Sequence, residues 1–184
     1  MTKRLALLLA IATAAAAETV VELDPSKTEI SFTLHDMVHK VHGSFQLKRG
    51  TLRFDPDTGK ASGEVVVDVT SGETGGRFRD RRMHKEVLES EKFPEAIFSL
   101  DSVTGKLEPQ GQSALDVHGV LKIHGSDHGL TLHFLVDGAS GQITGSTHFA
   151  VPYVEWGMKS PSILLLKVDS VVEVNVVVTA ATHP

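Results

Sequence analysis

The sequence predicts an all-β protein of about eight antiparallel strands, with one short helix in a long connection. From Val20 onward, apolar and polar residues alternate with period two, and Gly, Pro, Asp and Asn residues separate the alternating runs. The runs are not interleaved with a series of helical patterns, as a parallel sheet would require. These observations favour an antiparallel barrel or sandwich over a parallel sheet.

The chain opens with the residue order of a secretory signal peptide. Lys3 and Arg4 supply positive charge, an uncharged apolar run follows from Leu5 to Ala17, and this run ends in small alanines. The run is shorter than the roughly 20 residues that a membrane-spanning helix needs. We therefore expect residues 1–17 to be a signal peptide, rather than a buried helix. Residues 20–180 would form the domain, and the protein would be periplasmic or secreted.

Most predicted strands carry their apolar residues on one face. Such runs cover residues 30–34, 38–54, 61–70, 96–103, 115–123, 130–136 and 142–151. Within the second run, Gly43 and Gly50 predict bulges or bends. The last run, Ile163 to Thr179, is Val-rich, and Asp169-Ser170 is predicted to divide it into two pieces.

Residues 71–91 interrupt the strand pattern. A Gly-rich stretch leads into a segment where Met83 and Val87, four residues apart, predict a short helix lying on the sheet. Asp80 is predicted to cap this helix. The segment also carries a basic cluster, Arg77, Arg79, Arg81, Arg82 and Lys85. We interpret the cluster as a solvated helix face, with a docking patch for an anionic head group as the alternative.

Composition excludes several classes of function. The chain has 184 residues, a formal net charge of −5 and no cysteine. The absence of cysteine excludes disulfides, thiolate metal sites and a cysteine nucleophile. A protein needs a strongly basic surface to bind the phosphates of a nucleic acid, so nucleic acid is not an expected partner.

Several segments, in this order and spacing, resemble the YceI-like family of exported proteins. They are Leu23-Asp24-Pro25, Ile30–Leu34, Val41–Phe45, Arg79-Asp80, Phe93-Pro94, Ile97–Ser99, Gly119–Gly125, Leu130–Leu132 and Trp156-Gly157-Met158. The resemblance implies an extended, eight-stranded, lipocalin-like barrel. It also implies that the lumen holds a polyisoprenoid or a similar long lipid chain, for transport, storage or sequestration. No catalytic residue and no cofactor are expected, and contact with a membrane surface would be transient.

Strand alternation selects the residues expected to line this lumen, because alternate side chains share a face. The predicted ligand-binding residues are Phe32, Leu34, Val65, Val67, Leu121, Ile123, Leu132, Phe134, Val172 and Val174. A barrel of this size is wide enough either to be filled by its own side chains or to hold one slim ligand. The sequence pattern leaves that choice open.

Ten histidines raise the alternative of a periplasmic metal-binding protein. The densest group is His35, His39 and His42. His124 and His128 flank a predicted hairpin turn, Gly125-Ser126-Asp127, but their parities differ, so a bulge would be needed to bring them to one face. Neither group matches a named metal motif. Exposed or hydrogen-bonded histidines are therefore favoured over a metal site.

An isomerase or hydrolase acting on a lumen-bound lipid is a third hypothesis. The chain has no Gly-x-Ser-x-Gly nucleophile elbow. Adjacency of Ser31, His35 and Asp36 in sequence does not establish triad geometry. We expect the protein not to be an enzyme.

Overall fold

The computed structural model describes residues 18–55, 58–108, 110–139, 141–163 and 167–183. The predicted signal peptide therefore lies outside the described residues. Nine strands are found in the described part of the chain: β1 (Thr19–Leu23), β2 (Glu29–His35), β3 (Lys40–Phe54), β4 (Ala61–Glu73), β5 (Glu95–Gly105), β6 (Gly111–Ile123), β7 (Ser126–Ala139), β8 (Gln142–Val151) and β9 (Val172–His183).

The strands close into a barrel. Each strand from β2 to β8 pairs antiparallel with the next, and β9 pairs with both β8 and β2. β1 continues the position of β2 along the barrel wall, because both strands pair with β3 and β9 at different heights. A 3-10 turn at Pro25–Lys27 separates the two strands. The predicted antiparallel eight-stranded barrel is confirmed, with β1 and β2 sharing one position.

The predicted helix is also confirmed, but not its cap. Helix α1 (Arg77–Arg82) is followed by a π-helical turn at Met83–Val87. The N-cap residue is Gly76, so the prediction that Asp80 caps the helix is wrong. Asp80 lies inside the first turn, and its Oδ1 accepts hydrogen bonds from the amide (2.8 Å) and the hydroxyl (2.6 Å) of Thr74. The carboxylate thus ties the helix to the end of β4.

The bulges of β3 do not occur at its glycines. The register with β4 shifts between Ser44 and Gln46 and again between Leu47 and Arg49. Gly43 and Gly50 instead lie in regular register, opposite Phe32 and Val65. A Cβ atom at Gly43 would overlap the Phe32 ring. The glycine pattern therefore marks close packing, and bulges at these two positions are not found.

In the described part of the predicted Val-rich run, one strand is found instead of two. β9 begins at Val172, and residues 152–171 are a connection between β8 and β9. In this connection Val168 makes only an isolated bridge to Asp36. Residues 164–166 of the predicted Val-rich run lie outside the described residues. The described residues between Ile163 and Val171 are therefore part of a connection, although their apolar composition predicts a strand.

The barrel has two different ends. The helix end carries the connections 36–39, 74–94, 124–125 and 152–171, whereas the hairpin end carries the short connections 55–60, 106–110 and 140–141. A buried cluster of Val87, Val151, Tyr153 and Met158 lies at the helix end. Among the described residues, no helix is both long and apolar enough to cross a bilayer.

Candidate ligand site

The barrel encloses an elongated apolar cavity of about 470 Å³. On β8, the residues that line it are Ile143, Gly145, Thr147, Phe149 and Val151. The eight steps from Ile143 to Val151 extend about 27 Å along a strand, or roughly 20 Å along the axis of a barrel with ordinary strand tilt. The volume lies within the range of natural ligand pockets, about 300–1,000 Å³. The lumen is therefore not filled by side chains.

All ten residues that alternation assigns to the lumen line this cavity. Their contact with a ligand stays a prediction. The cavity wall also contains aromatic side chains of β2 and β3: the Phe32 and Phe45 rings lie 5.3 Å apart between centroids. The absence of a side chain at Gly43 leaves the space that the Phe32 ring occupies.

Two side chains, of which Thr147 lines the cavity, bury a polar atom that has no hydrogen-bond partner among the described residues. They are Thr147, through its hydroxyl oxygen, and His128, through Nε2. The His128 ring stacks on Trp156, with centroids 3.9 Å apart and an interplanar angle of 8°. Trp156 thus covers the start of β7 on the inner side of the barrel, next to the buried cluster.

Charged residues border the cavity only at the helix end of the described barrel. They are Asp36, Arg79 and Arg82. Arg79 donates from Nε to the Thr74 hydroxyl (3.2 Å) and from Nη2 to the Thr74 carbonyl oxygen (3.1 Å). Arg82 Nε lies 3.2 Å from Glu86 Oε2. Both guanidinium groups are therefore oriented by neighbours while they face the rim of the cavity.

Asp36 supplies negative charge at the same rim. Its Oδ1 accepts hydrogen bonds from the amides of Val38 (2.8 Å) and His39 (2.7 Å). These bonds, with the Val38 amide contributing most, lower the pKa of Asp36 below its ordinary value because they stabilise the carboxylate. The rim thus combines two cations and one anion around an apolar interior.

Tyr153 closes part of the helix end. Its hydroxyl donates to the carbonyl oxygen of Asp169 (2.7 Å), and the residue is 4 % exposed. Burial raises the pKa of the Tyr153 phenol, because the phenolate would lose its hydration. Met158 packs in the same buried cluster and also lines the cavity. The connection 152–171 therefore contributes to the lumen wall as well as joining two strands.

The histidines are dispersed. His42 Nδ1 lies 3.0 Å from the Thr33 hydroxyl, and His39 Nδ1 lies 3.7 Å from Asp36 Oδ1. His35, His39 and His42 do not converge, and the described residues contain no group of three His, Asp or Glu side chains arranged to hold a metal ion.

His124 and His128 are not brought together either. The hairpin turn is His124-Gly125 instead of the predicted Gly125-Ser126-Asp127, and His124 Nε2 bonds Glu89 Oε2 at 2.8 Å. In the described β6–β7 hairpin, no bulge brings the two rings to one face. His128 faces inward toward Trp156, as its shared parity with Leu130 indicates.

Sequence reasoning missed the lumen residues outside the strands. Arg79, Arg82, Met83 and Val87 all line the cavity, so one face of the helical segment covers the helix end. The spacing of Met83 and Val87 indicated a helix on the sheet, but not which part of the barrel it covers. Four residues of the basic cluster, Arg77, Arg79, Arg81 and Lys85, are exposed, as the solvated-face interpretation predicts. Arg79 and the half-buried Arg82 also border the cavity, which this interpretation did not predict.

Comparisons with known proteins agree with this architecture. A family profile described as the YceI-like domain matches residues 22–180. A search of curated proteins finds no match. Among solved structures, BcnA of Burkholderia cenocepacia is 17% identical, with a TM-score of 0.71, over 86% of this chain and 99% of the other.

Two further solved structures have the same fold. A polyisoprenoid binding domain from Saccharophagus degradans, implicated in plant cell wall breakdown, is 16% identical, with a TM-score of 0.70, over 89% of this chain and 98% of the other. A Campylobacter jejuni YCEI protein is 18% identical, with a TM-score of 0.62, over 82% and 89%. At such identities the structural likeness establishes the fold, and the profile match establishes the family. The chain belongs to the YceI-like family.

Proposed function

We propose that this protein is an exported, non-enzymatic lipid-binding protein that holds a polyisoprenoid or a similar long apolar chain in its lumen. The observation that carries the proposal is the cavity of about 470 Å³ with an apolar wall and charged residues at one end. An apolar chain would occupy the lumen, and a polar head group would remain at the charged rim. Such a protein would transport, store or sequester its ligand.

The energetics of burial support a long chain as ligand. Each CH₂ group removed from water contributes about 0.8 kcal/mol, so a chain that occupies the lumen binds tightly without any catalytic group. The charged groups at the rim have local partners: Asp36 accepts from amides of its own loop, Arg79 donates to Thr74, and Arg82 pairs with Glu86. This arrangement supports binding rather than acid-base catalysis.

The relatives and the N-terminal residues support the finer parts of the proposal. One solved structure with this fold is described as a polyisoprenoid binding domain. Export is supported by the order of charge, apolar run and small residues in positions 1–17. N-terminal sequencing of the exported protein tests the latter: a sequence beginning after Ala17 is expected, and one beginning at Met1 contradicts it.

Extraction of the purified protein tests the ligand. Organic extraction followed by mass spectrometry should yield a prenyl or other long-chain compound at close to one molecule per protein. Val176 lines the cavity, whereas its neighbour Val177 lies on the outer face and is 38% exposed. The variant Val176→Trp should therefore lose the compound, and Val177→Trp should keep it. Equal yields from the two folded variants, or no compound in the wild type, contradict the proposal.

A chain-length series tests the mode of binding. For a homologous series of alkyl or prenyl chains, affinity should rise about fourfold per CH₂ until the lumen is filled, and then level off. The fluorescence of the chain's one tryptophan, Trp156, provides the readout, because that ring packs against the cluster bordering the lumen. Affinity independent of chain length would exclude lumen binding.

A further inference from the structure

We propose that the helix end of the barrel is a docking surface for an anionic phospholipid bilayer, from which the lumen ligand is exchanged. The surface consists of the exposed apolar residues Met37, Val38 and Phe78 together with the exposed basic residues Arg77 and Arg81. Its purpose rests on the proposed lipid-binding function, whereas docking itself has a separate test.

Three large apolar side chains are exposed at this end. Phe78 is 90% exposed, Met37 72% and Val38 73%. One other described apolar residue, Leu135, reaches a similar exposure, 69%, and it lies on the barrel wall. Single exposed apolar residues are ordinary on protein surfaces, but a group at one end is typical of an interaction site.

The local structure presents these side chains outward. Asp36 Oδ1 binds the amides of Val38 and His39, and the Asp36 amide donates to the His39 carbonyl oxygen (3.0 Å). This closes a tight turn with Met37 and Val38 at its tip. Phe78 lies in the first turn of α1, two residues after Gly76. Both apolar sites therefore occupy ordered positions before any partner arrives.

The charge of residues 77–85, within this end, favours an anionic partner. Five of the chain's 18 Lys and Arg residues lie within residues 77–85, although the whole chain has a net charge of −5. The one acid of this segment, Asp80, accepts from Thr74, and the residue that follows the segment, Glu86, pairs with Arg82. Arg77, Arg81 and Lys85 are exposed. A basic surface with exposed apolar side chains matches the interface of an anionic bilayer, where each Lys or Arg contributes about 1 kcal/mol.

The surface adjoins the rim of the lumen. Asp36 borders the cavity while the next residue, Met37, points to solvent, and Arg79 borders it while Phe78 points to solvent. Insertion of the apolar side chains into a bilayer would therefore bring the rim against the lipid head groups. A ligand chain would then pass between bilayer and lumen with little apolar surface exposed to water.

Vesicle co-sedimentation tests the docking surface. The residue 18–184 protein is mixed with vesicles of phosphatidylglycerol and phosphatidylcholine, or of phosphatidylcholine alone. Binding should require the anionic lipid and weaken with salt. Phe78→Ser should weaken binding about fivefold or more, and the double reversal Arg77→Glu with Arg81→Glu about tenfold or more. All three positions are exposed, so folding should be unaffected.

Matched controls lie elsewhere on the barrel. Leu135→Ser removes an equally exposed apolar side chain from the wall, and Arg53→Glu reverses an exposed charge near the hairpin end. Neither should change vesicle binding. The proposal is overturned if the controls weaken binding as much as the docking variants, or if neutral vesicles bind equally well. A concentration-dependent dimer abolished by Phe78→Ser, without vesicle binding, would assign the surface to a second copy of the chain instead.

The docking and lumen proposals fail separately. The lumen variant Val176→Trp should still bind anionic vesicles, because its side chain is remote from the surface residues. Conversely, the docking variants should still yield the extracted compound from the lumen but exchange it with vesicles more slowly. If the wild-type protein yields the extracted compound but does not bind anionic vesicles, only the docking proposal is contradicted. If it binds the vesicles but yields no compound, only the lumen proposal is contradicted.

Discussion

The two ends of the barrel differ in how they are built. The helix end has long connections, a buried cluster around Tyr153 and Met158, and charged residues at the rim of the cavity. At the hairpin end, strands follow each other through short connections, and the described lining residues, such as Leu52, Phe54 and Leu107, are apolar. A short hairpin needs few residues to reverse the chain direction. A long connection loses more conformational entropy when it is ordered, so side-chain packing has to stabilise its conformation.

The helix end is distinguished by two properties, the charge at the rim of the cavity and the packing beside it. Charged residues border the cavity only at the helix end of the described barrel, through Asp36, Arg79 and Arg82, and the proposed lipid exchange would take place at this rim. The same end contains the buried cluster, so its stability rests on side-chain packing next to the opening. Four predictions test this comparison, ordered by the expected size of the effect.

The largest effect is expected for Met158→Ala at the helix end. Met158 is 3% exposed in the buried cluster, so its truncation should lower the free energy of unfolding by about 2–5 kcal/mol. Leu107→Ala is the counterpart at the hairpin end and should cost less, because Leu107 is only half-buried. Urea unfolding followed by circular dichroism measures both. Equal losses would show that packing does not distinguish the two ends.

A pH effect is expected from Tyr153. Its pKa is raised by burial, so the stability linked to the neutral phenol is complete below the ordinary pKa near 10 and is lost as pH rises through the folded-state pKa. Between these limits, the unfolding free energy of wild type should fall more steeply than that of Tyr153→Phe. At neutral pH, Tyr153→Phe should cost about 1 kcal/mol through the lost hydrogen bond to Asp169. Identical slopes of stability against pH would contradict this.

Because Tyr153 is the chain's one tyrosine, phenolate absorbance reports on it alone. The native protein should titrate at a higher pH than the protein in denaturant. Coincident titrations would show that the phenol is hydrated in the folded state, and the helix end would then be open at this position.

A stabilising effect is expected at Thr147, which lies between the two ends of the barrel. Its buried hydroxyl has no partner among the described residues, so Thr147→Val should raise the free energy of unfolding by about 1 kcal/mol. Thr131→Val is the control on the outer face of the barrel, where the hydroxyl bonds His118 (2.9 Å). It should bring no gain. Thermal unfolding of the ligand-free proteins gives the comparison, and a destabilised Thr147→Val would reveal a partner for the hydroxyl.

The smallest effect is expected for the ion pair between α1 and the π-helical turn that follows it. Arg82 and Glu86 are 36% and 44% exposed, so Glu86→Gln should cost only about 0.3–0.5 kcal/mol, and high salt should remove the difference. A loss comparable with that of Met158→Ala would mean that charge, rather than the apolar cluster, holds the helical segment in place. The same urea experiment at low and high salt decides this.

Lumen residues could be predicted from the sequence because side-chain direction in a strand depends only on parity. Val65 and Val67 lie on the same face whatever strand pairs with them. The rim and the buried cluster could not be predicted this way, since they depend on how long connections pack. His128 and Trp156, for example, are 28 positions apart in the chain and stack only because the connection after β8 folds over the end of the barrel. The same dependence explains the errors at Asp80 and in the run that begins at Ile163.

Period-two alternation and turn residues by themselves determined that this chain is an antiparallel all-β protein and which strand residues share a face. The resemblance of the ordered segments to the YceI-like family selected a barrel over a sandwich. Only the tertiary structure decided that the lumen is open, that the helical segment covers one end, and that two of its five basic residues reach the rim. The physical reason is that alternation is a local property of each strand. The space inside a barrel depends instead on strand stagger, on glycines such as Gly43 that admit a neighbouring ring, and on packing between residues distant in sequence.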